Sequence, residues 1–87
     1  MTATLPTFGV VMLTMGQRPE GLARAIDSVL MQTGVTTDIV VVGNGWDPVG
    51  LPPGVKSHHL RENLGIPAGR NAGVPDVAGE FIFFLDD

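Results

Sequence analysis

The sequence predicts an α/β domain in which a mainly parallel sheet of about four strands packs against two helices. Two observations support this fold class. The strongest strand candidates are short segments that are apolar at both alternating positions, as in strands covered on both faces. Segments with helical periodicity lie between them, and strands that alternate with helices indicate parallel pairing through crossover connections. The predicted order is β-α-β-loop-β-α-β.

The first half of the chain contains two predicted strands and the helix that connects them. Phe8–Thr14 (FGVVMLT) and Asp38–Val42 (DIVVV) are β-rich and apolar, as buried strands are. Pro19–Gln32 predicts a helix, because a proline suits the first helical position and an acidic residue follows it. The helix has one apolar stripe, formed by Leu22, Ile26, Val29 and Leu30.

The second half predicts a loop, a weaker strand, a short helix and a strong final strand. Trp46–Gly54 has three prolines and two glycines in nine residues, which predicts a loop. Val55–Leu60 is a more polar strand candidate, expected near a sheet edge. A short helix starts near Pro67, and Pro75 marks its end or a kink. Phe81–Leu85 (FIFFL) is the last apolar strand.

Composition and charge exclude several classes of protein. A chain of 87 residues forms at most one small domain. Its net charge of −4, without a cluster of Lys or Arg, argues against nucleic acid or anionic lipid as a partner. The absence of cysteine excludes disulfides and thiolate zinc sites. The apolar segment Phe8–Leu13 is too short for a membrane span, so we expect a cytoplasmic domain.

The parallel sheet predicts where a ligand binds. In such sheets, ligands bind beyond the carboxyl ends of the strands. This edge of the sheet is called the rim below. Four segments follow the predicted strands and therefore meet at the rim: Thr14–Arg18, Gly43–Trp46, Arg61–Leu64 and Asp86–Asp87.

The two aspartates at the end of the last strand are candidate metal ligands. Mg²⁺ and Mn²⁺ bind carboxylate oxygens, and Mg²⁺ commonly takes one or two from protein and the rest from water and phosphates. A strand end fixes the backbone of Asp86 and Asp87 and directs them into the ligand crevice. The alternative is a solvated, turn-forming pair, because Asp is favoured where strands end.

Arg70 is a candidate anion ligand. It lies in the glycine-rich segment Gly65–Gly73, and a helix that starts near Pro67 offers unpaired N–H groups to an anion. Arg70 could then contact a phosphate or stack on a base. In the alternative reading, Gly69 and Gly73 only let the helix lie close to the sheet, and Arg70 is solvated.

Other polar and aromatic residues near the rim each have two readings. Asn44 and Gly45 form a turn signal, and their position at a strand end gives Asn44 a chance of contacting a ligand. Trp46 could stack on a base or sugar, or it could anchor its loop. His58 and His59 are adjacent and face opposite sides of a strand, so a structural or surface role is expected for them.

Residues 8–87 contain five blocks in this order: FGVVMLT, RPEGLARAIDSVLMQ, DIVVVGNG, ENLGIPAGRNAG and GEFIFFLDD. The order of these blocks resembles the N-terminal half of family 2 glycosyltransferases. The resemblance implies a Rossmann-like, incomplete nucleotide-diphospho-sugar transferase fold, with residues 1–87 as a truncated donor-binding half. It implies inverting transfer of a sugar from a nucleotide-diphospho-sugar to an acceptor that it does not identify. The catalytic base is expected beyond residue 87, so the chain alone is expected to be inactive.

The resemblance also implies roles for particular residues. Arg70 in GRN matches the family's A-R-N arginine, which reaches toward the base or phosphates. Asp86 would open the D-x-D signature, with Asp87 at its middle position, and the two would hold Mg²⁺ or Mn²⁺ against the diphosphate. The residues expected to bind the nucleotide-sugar are Thr14, Met15, Arg18, Asn44, Gly45, Arg70 and Asp86.

The sequence departs from the family pattern at four places. Leu13-Thr14-Met15-Gly16 replaces the frequent P-T-Y-N. Gly43 replaces the usual aspartate before Asn-Gly, which removes a carboxylate expected to recognise a uracil-like base. Trp46 replaces a serine, and the closing aspartate of D-x-D would be residue 88, which the sequence does not contain.

The same sequence pattern leaves two other functions open and predicts one assembly state. The chain could be a non-catalytic nucleotide-binding module, or a metal-dependent nucleotidyltransferase-like domain. The latter normally has a glycine-rich, basic loop after the first strand, and Met15–Arg18 supplies one Gly and one Arg. The last apolar strand leaves its edge open, so we also expect a homo-oligomer formed through this edge.

Overall fold

The fold described here comes from a computed structural model, which describes residues 5–86. It confirms the predicted α/β class, with four strands in one parallel sheet and two α-helices. The elements in chain order are β1 (Thr7–Thr14), α1 (Pro19–Leu30), β2 (Thr36–Asn44), β3 (Lys56–Leu60), α2 (Ile66–Gly73), a 3-10 helix (Val74–Asp76) and β4 (Phe81–Asp86).

The strand order is β3-β2-β1-β4, with every neighbouring pair parallel. Thr14 of β1 lies opposite Gly43 of β2, and Leu13 of β1 lies opposite Asp86 of β4. Parallel pairing therefore brings the ends of three strands to the same rim. The polar strand β3 occupies an edge of the sheet, as its composition predicts.

Two hydrophobic clusters cover the two faces of the sheet. Alternate residues of β1 and β2 point to opposite faces, so each central strand contributes to both clusters. The α1 face buries Val10, Met12, Leu22, Ile26, Ile39 and Val41. The α2 face buries Val11, Leu13, Val40 and Val42.

Helix α2 contacts the sheet through its glycines. The buried residues of this helix are Gly69 and Gly73. A Cβ atom on Gly73 would lie 2.7 Å from Val11 Cγ1 and 2.7 Å from Val42 Cγ2. A Cβ atom on Gly69 would lie 2.7 Å from Leu13 Cδ1. The glycine pair therefore has the packing role that the sequence left open, and it sets how closely α2 approaches the rim.

A polar network joins β2 and β3 to the segment before β4. Lys56 Nζ lies 3.0 Å from Asp38 Oδ1, and the Ala78 N–H donates to Asp38 Oδ2 at 2.8 Å. Although burial opposes it, these bonds from Ala78 and Lys56 lower the pKa of Asp38. His58 Nδ1 lies 2.5 Å from Asp76 Oδ2, so His58 has the structural role expected for it.

Strand β4 is the least covered part of the sheet. Its five apolar side chains, Phe81 to Leu85, are 40–54% exposed. Within residues 5–86, its one strand neighbour is β1. Helices α1 and α2 pack instead on the two central strands. None of the helices that the structure describes is long and apolar enough to cross a membrane.

We expect Gly73→Ala to lower the free energy of unfolding by about 1–3 kcal/mol, the usual cost of overpacking. The added methyl group would collide with two valines, whose β-branched side chains have few alternative rotamers. Chemical denaturation of the variant measures this change.

The matched control is Gly21→Ala in α1, where the nearest neighbour of an added Cβ is Arg18 Cβ at 3.7 Å. This change should stabilise the protein by about 0.5–1 kcal/mol, because alanine has the higher helix propensity. A Gly73→Ala variant as stable as this control would contradict the close contact of α2.

Candidate functional site

Arg70 and Asp86 meet at the rim. Asp86 is the last residue of β4, and Arg70 lies in α2 on the same face of the sheet. Arg70 Nε donates to Asp86 Oδ1 at 3.2 Å, and Arg70 Nη2 donates to Asp86 Oδ2. The Asp86 carboxylate raises the pKa of Arg70. Two residues that are 16 positions apart in the sequence therefore form a two-point ion pair.

The guanidinium of Arg70 has a second neighbour on β4. Its Cζ atom lies 5.8 Å from the centre of the Phe84 ring, which is within the range of a cation–π contact. Phe84 and Asp86 are two positions apart in one strand, so their side chains point to the same face. Arg70 is thus held against β4 by both a charge and a ring.

A cavity of about 590 Å³ opens beside Asp86, between β4 and the N-terminal part of α1. Arg18 and Arg24 contribute two cationic side chains to it, and Glu20 contributes an acidic one. The first N–H groups of a helix have no intrahelical partner and attract anions. The other lining residues are Met12, Gln17, Pro19, Gly21, Leu22, Ala25, Leu85 and Asp86.

Arg24 is a cavity residue that the sequence analysis missed. The spacing of Arg24 from other cavity residues could have indicated its position, because Gln17, Gly21 and Arg24 follow one another at intervals of four and three residues. Gly21 and Arg24 are three positions apart in α1 and therefore lie on one side of the helix, whereas Gln17 precedes the helix. The loop after β1 and the first turns of α1 therefore contribute both polar and apolar residues to the cavity.

Of the three first-loop residues expected to bind the nucleotide-sugar (Thr14, Met15 and Arg18), Arg18 lines the cavity. Thr14 is buried, and its Oγ1 accepts a hydrogen bond from the Gly16 N–H at 3.0 Å. Met15 is 46% exposed, and its Sδ lies 3.1 Å from Asn63 Nδ2. Nucleotide contacts of Thr14 and Met15 stay predictions.

The side chain of Asn44 connects the end of β2 to the start of α2. It is buried, its Oδ1 accepts from the Leu64 N–H at 2.8 Å, and its Nδ2 donates to the Gly65 carbonyl at 3.1 Å. The Gly45 N–H donates to the Leu60 carbonyl at 3.0 Å. Both residues thus position the loop before α2, and their contact with a nucleotide stays a prediction.

Trp46 anchors its loop against the loop after β1. A Cβ atom on Gly16 would lie 2.4 Å from Trp46 Cδ2, so the indole ring packs on the bare glycine. Trp46 also packs against the hydrophobic cluster on the α1 face. This observation favours the anchoring role over stacking on a ligand.

The same loop explains why position 43 lacks a side chain. A Cβ atom on Gly43 would lie 1.8 Å from the Trp46 carbonyl oxygen and 2.7 Å from Pro48 Cδ. The chain itself thus fills the space that an aspartate would need. Gly43 and Trp46, two of the departures from the family pattern, therefore lie against each other through the Trp46 carbonyl.

The described part of the rim supplies one carboxylate of the kind that a hard divalent cation binds, that of Asp86, and this carboxylate accepts hydrogen bonds from Arg70. Asp86 offers carboxylate oxygens, and Mg²⁺ is commonly bound through one or two carboxylates together with substrate phosphates. Asp87, the second predicted ligand, lies outside the described residues. Among residues 5–86, there is no group of three or more His, Cys, Asp or Glu residues that could hold a metal ion. The metal site stays a prediction.

Comparison with known proteins identifies the family. The sequence model of Glycosyl transferase family 2 matches residues 10–87, which include the Arg70–Asp86 pair and every residue that lines the cavity. No curated protein and no solved structure matches the chain. The family match covers most of the chain and agrees with the fold and with the blocks at the rim. The chain therefore belongs to glycosyl transferase family 2.

Proposed function

We propose that this chain binds a nucleotide-diphospho-sugar in the cavity between α1 and β4, as the donor of an inverting glycosyl transfer. In this proposal, Asp86 and Asp87 hold Mg²⁺ or Mn²⁺ at the rim. The main support for this proposal is that Arg70 contacts Asp86 and that Asp86, at the end of β4, also lines the cavity. Asp86 lines the cavity and also contacts Arg70, which lies on the α2 face and is not among the residues that line the cavity.

The size and charge of the cavity support a phosphorylated ligand. Its volume of about 590 Å³ falls within the roughly 300–1,000 Å³ of small-molecule sites. Arg18, Arg24 and the N-terminus of α1 supply positive charge. Glu20 and Asp86 also line the cavity, so its side chains carry two positive and two negative formal charges. Because the chain as a whole carries a net charge of −4, the proposal assigns the remaining attraction for a diphosphate to the divalent cation.

The proposed chemistry divides into binding and transfer. The chain's own residues bind the donor and orient its diphosphate, and the divalent cation supplies charge that stabilises the diphosphate as it leaves. Arg70 and Arg18 would contribute to the same stabilisation. Activation of the acceptor is assigned to a base outside these residues, so we propose that the chain alone binds the donor without transferring the sugar.

We also propose that two copies associate through β4. The open edge of a strand carries N–H and C=O groups that can pair with another strand. In an antiparallel pairing centred on Phe83, Phe81 faces Leu85 of the second copy and Ile82 faces its Phe84. Every apolar residue of β4 then faces an apolar residue. The same register places Glu80 of the second copy opposite Asp86, whose carboxylate pairs with Arg70.

The donor proposal predicts binding of UDP, GDP or dTDP that depends on Mn²⁺. Isothermal titration calorimetry with and without Mn²⁺ measures it. We expect Asp86→Asn to weaken nucleotide binding in the presence of Mn²⁺ by about tenfold or more, a loss of 1.4 kcal/mol or more, because it removes a cation ligand.

Asp27→Asn is the matched control, because it removes the same charge from an exposed position in α1 that does not line the cavity. It should leave the affinity for the nucleotide unchanged. Wild-type protein that binds none of the three nucleotides with Mn²⁺ present would overturn the proposal. Metal-dependent binding by a full-length protein that transfers no sugar would instead indicate a non-catalytic nucleotide-binding module.

The association proposal predicts a dimer in sedimentation velocity at high micromolar concentration. Phe83→Lys should give monomers at the same concentration, because the antiparallel pairing would place two lysines opposite each other. Val49→Lys is the control at a loop position that is 70% exposed, and it should leave the dimer intact. A monomeric wild-type protein, or a dimer that persists in Phe83→Lys, would contradict pairing through β4.

A further inference from the structure

Asn44 and Gly45 form the one Asn-Gly pair in the sequence. In such a pair, the backbone nitrogen of the glycine can attack the side-chain amide carbon of the asparagine. A new C–N bond forms, ammonia leaves, and water opens the resulting succinimide ring to aspartate or isoaspartate. Glycine favours this attack because it has no side chain to obstruct ring closure. The pair thus contains both reacting groups of a deamidation, and water is the co-reactant.

The fold holds both reacting groups in place. The Asn44 amide is buried, with Oδ1 accepting from the Leu64 N–H at 2.8 Å and Nδ2 donating to the Gly65 carbonyl at 3.1 Å. The attacking nitrogen is also engaged, because the Gly45 N–H donates to the Leu60 carbonyl at 3.0 Å. Ring closure requires that these hydrogen bonds break and that water reaches the amide. The closed structure therefore protects Asn44.

The segment that covers Asn44 is short and exposed. Asn63, Leu64 and Gly65 form the loop before α2, and all three are exposed. The Gly65 N–H donates to Asn63 Oδ1 at 2.9 Å, which holds this loop in its turn. Exposed segments with few buried apolar contacts open at a lower free energy than the core does. The loop can therefore open while the central strands stay folded.

We propose that Asn44 is a deamidation site that the fold protects, and that it reacts when the loop before α2 opens locally. The opening frees the amide from Leu64 and Gly65 and admits water. The aspartate that forms cannot donate to the Gly65 carbonyl, and burying its charge opposes reclosure of the loop. Deamidation therefore releases the start of α2, the helix that carries Arg70, and the release does not reverse.

Mass spectrometry of peptides from aged protein measures the reaction, through the mass gained when an amide becomes a carboxylate. We expect Asn44 to react about 100-fold or more slowly in the native protein than in urea-unfolded protein, because the closed state must open first. Asn63 and Asn71 are internal references, because leucine and alanine follow them and obstruct ring closure. They should stay intact over the same time.

Asn63→Ala tests whether the loop controls the opening. It removes the acceptor of the Gly65 N–H and should speed the reaction of Asn44 about two- to tenfold, the range expected for one lost hydrogen bond. Gln32→Ala is the matched control, because it also removes an exposed side-chain amide, one that donates to the Ser28 carbonyl at 3.2 Å. The control should deaminate Asn44 at the wild-type rate.

Reaction rates at low urea separate local opening from global unfolding. Global unfolding exposes most of the chain, so a reaction through it would accelerate steeply with urea below the midpoint. Opening of a short loop exposes little surface, so the rate should stay nearly constant there. A steep dependence on urea would overturn the local mechanism.

The proposal also fails if native and unfolded protein react equally fast, if unfolded protein leaves Asn44 intact, or if Asn63→Ala reacts no faster than Gln32→Ala. Circular dichroism checks that the variants fold. If Asn63→Ala does not fold, Gly65→Ala decides. Gly65 has a φ of 84°, so alanine would strain the loop and should also speed the reaction.

Hydrogen exchange tests whether deamidation releases α2. The Gly69 N–H donates to the Gly65 carbonyl at 3.0 Å, at the start of the helix. In deamidated protein this amide should exchange with solvent faster than in unmodified protein. Equal exchange would contradict the release. Neither measurement depends on nucleotide binding, so failure of the proposed donor site would leave this inference standing.

Discussion

The parallel pairing of β4 with β1 is the interaction on which the candidate site depends. It places Asp86 opposite Leu13, at the rim and beside the cavity next to α1. Because side chains alternate along a strand, a shift of one residue in this register would turn Asp86 away from Arg70. The apolar residues of β4 therefore fix the position of the acid in addition to packing against β1.

The approach of α2 to the sheet is the second requirement for the ion pair. Arg70 lies between Gly69 and Gly73, and these glycines let the helix backbone contact the side chains of the central strands. Asn44 fixes the start of the same helix through the loop at Leu64 and Gly65. A short helix without a large apolar face is thus held by close backbone contact and by a buried amide.

The sequence predicted the strands well because the central ones are apolar on both faces. The family resemblance, rather than the strand order, placed Arg70 and Asp86 in one predicted site. The sequence did not predict the role of Asn44, whose partners lie 20 and 21 residues away. It also left Trp46 ambiguous, because the fit of an indole ring on Gly16 depends on how two loops pack. Such contacts depend on tertiary packing, which local periodicity does not encode.

Paramagnetic relaxation by Mn²⁺ tests most directly whether the rim is one metal-dependent site. In ¹⁵N-labelled protein, substoichiometric Mn²⁺ should broaden the amide signals of Asp86, Arg70 and the 17–21 segment most strongly. Signals near Thr36 and Lys56, where β2 and β3 begin, should stay sharp. The strongest broadening around the Asp38 and Asp76 carboxylates, with Asp86 unaffected, would contradict the account.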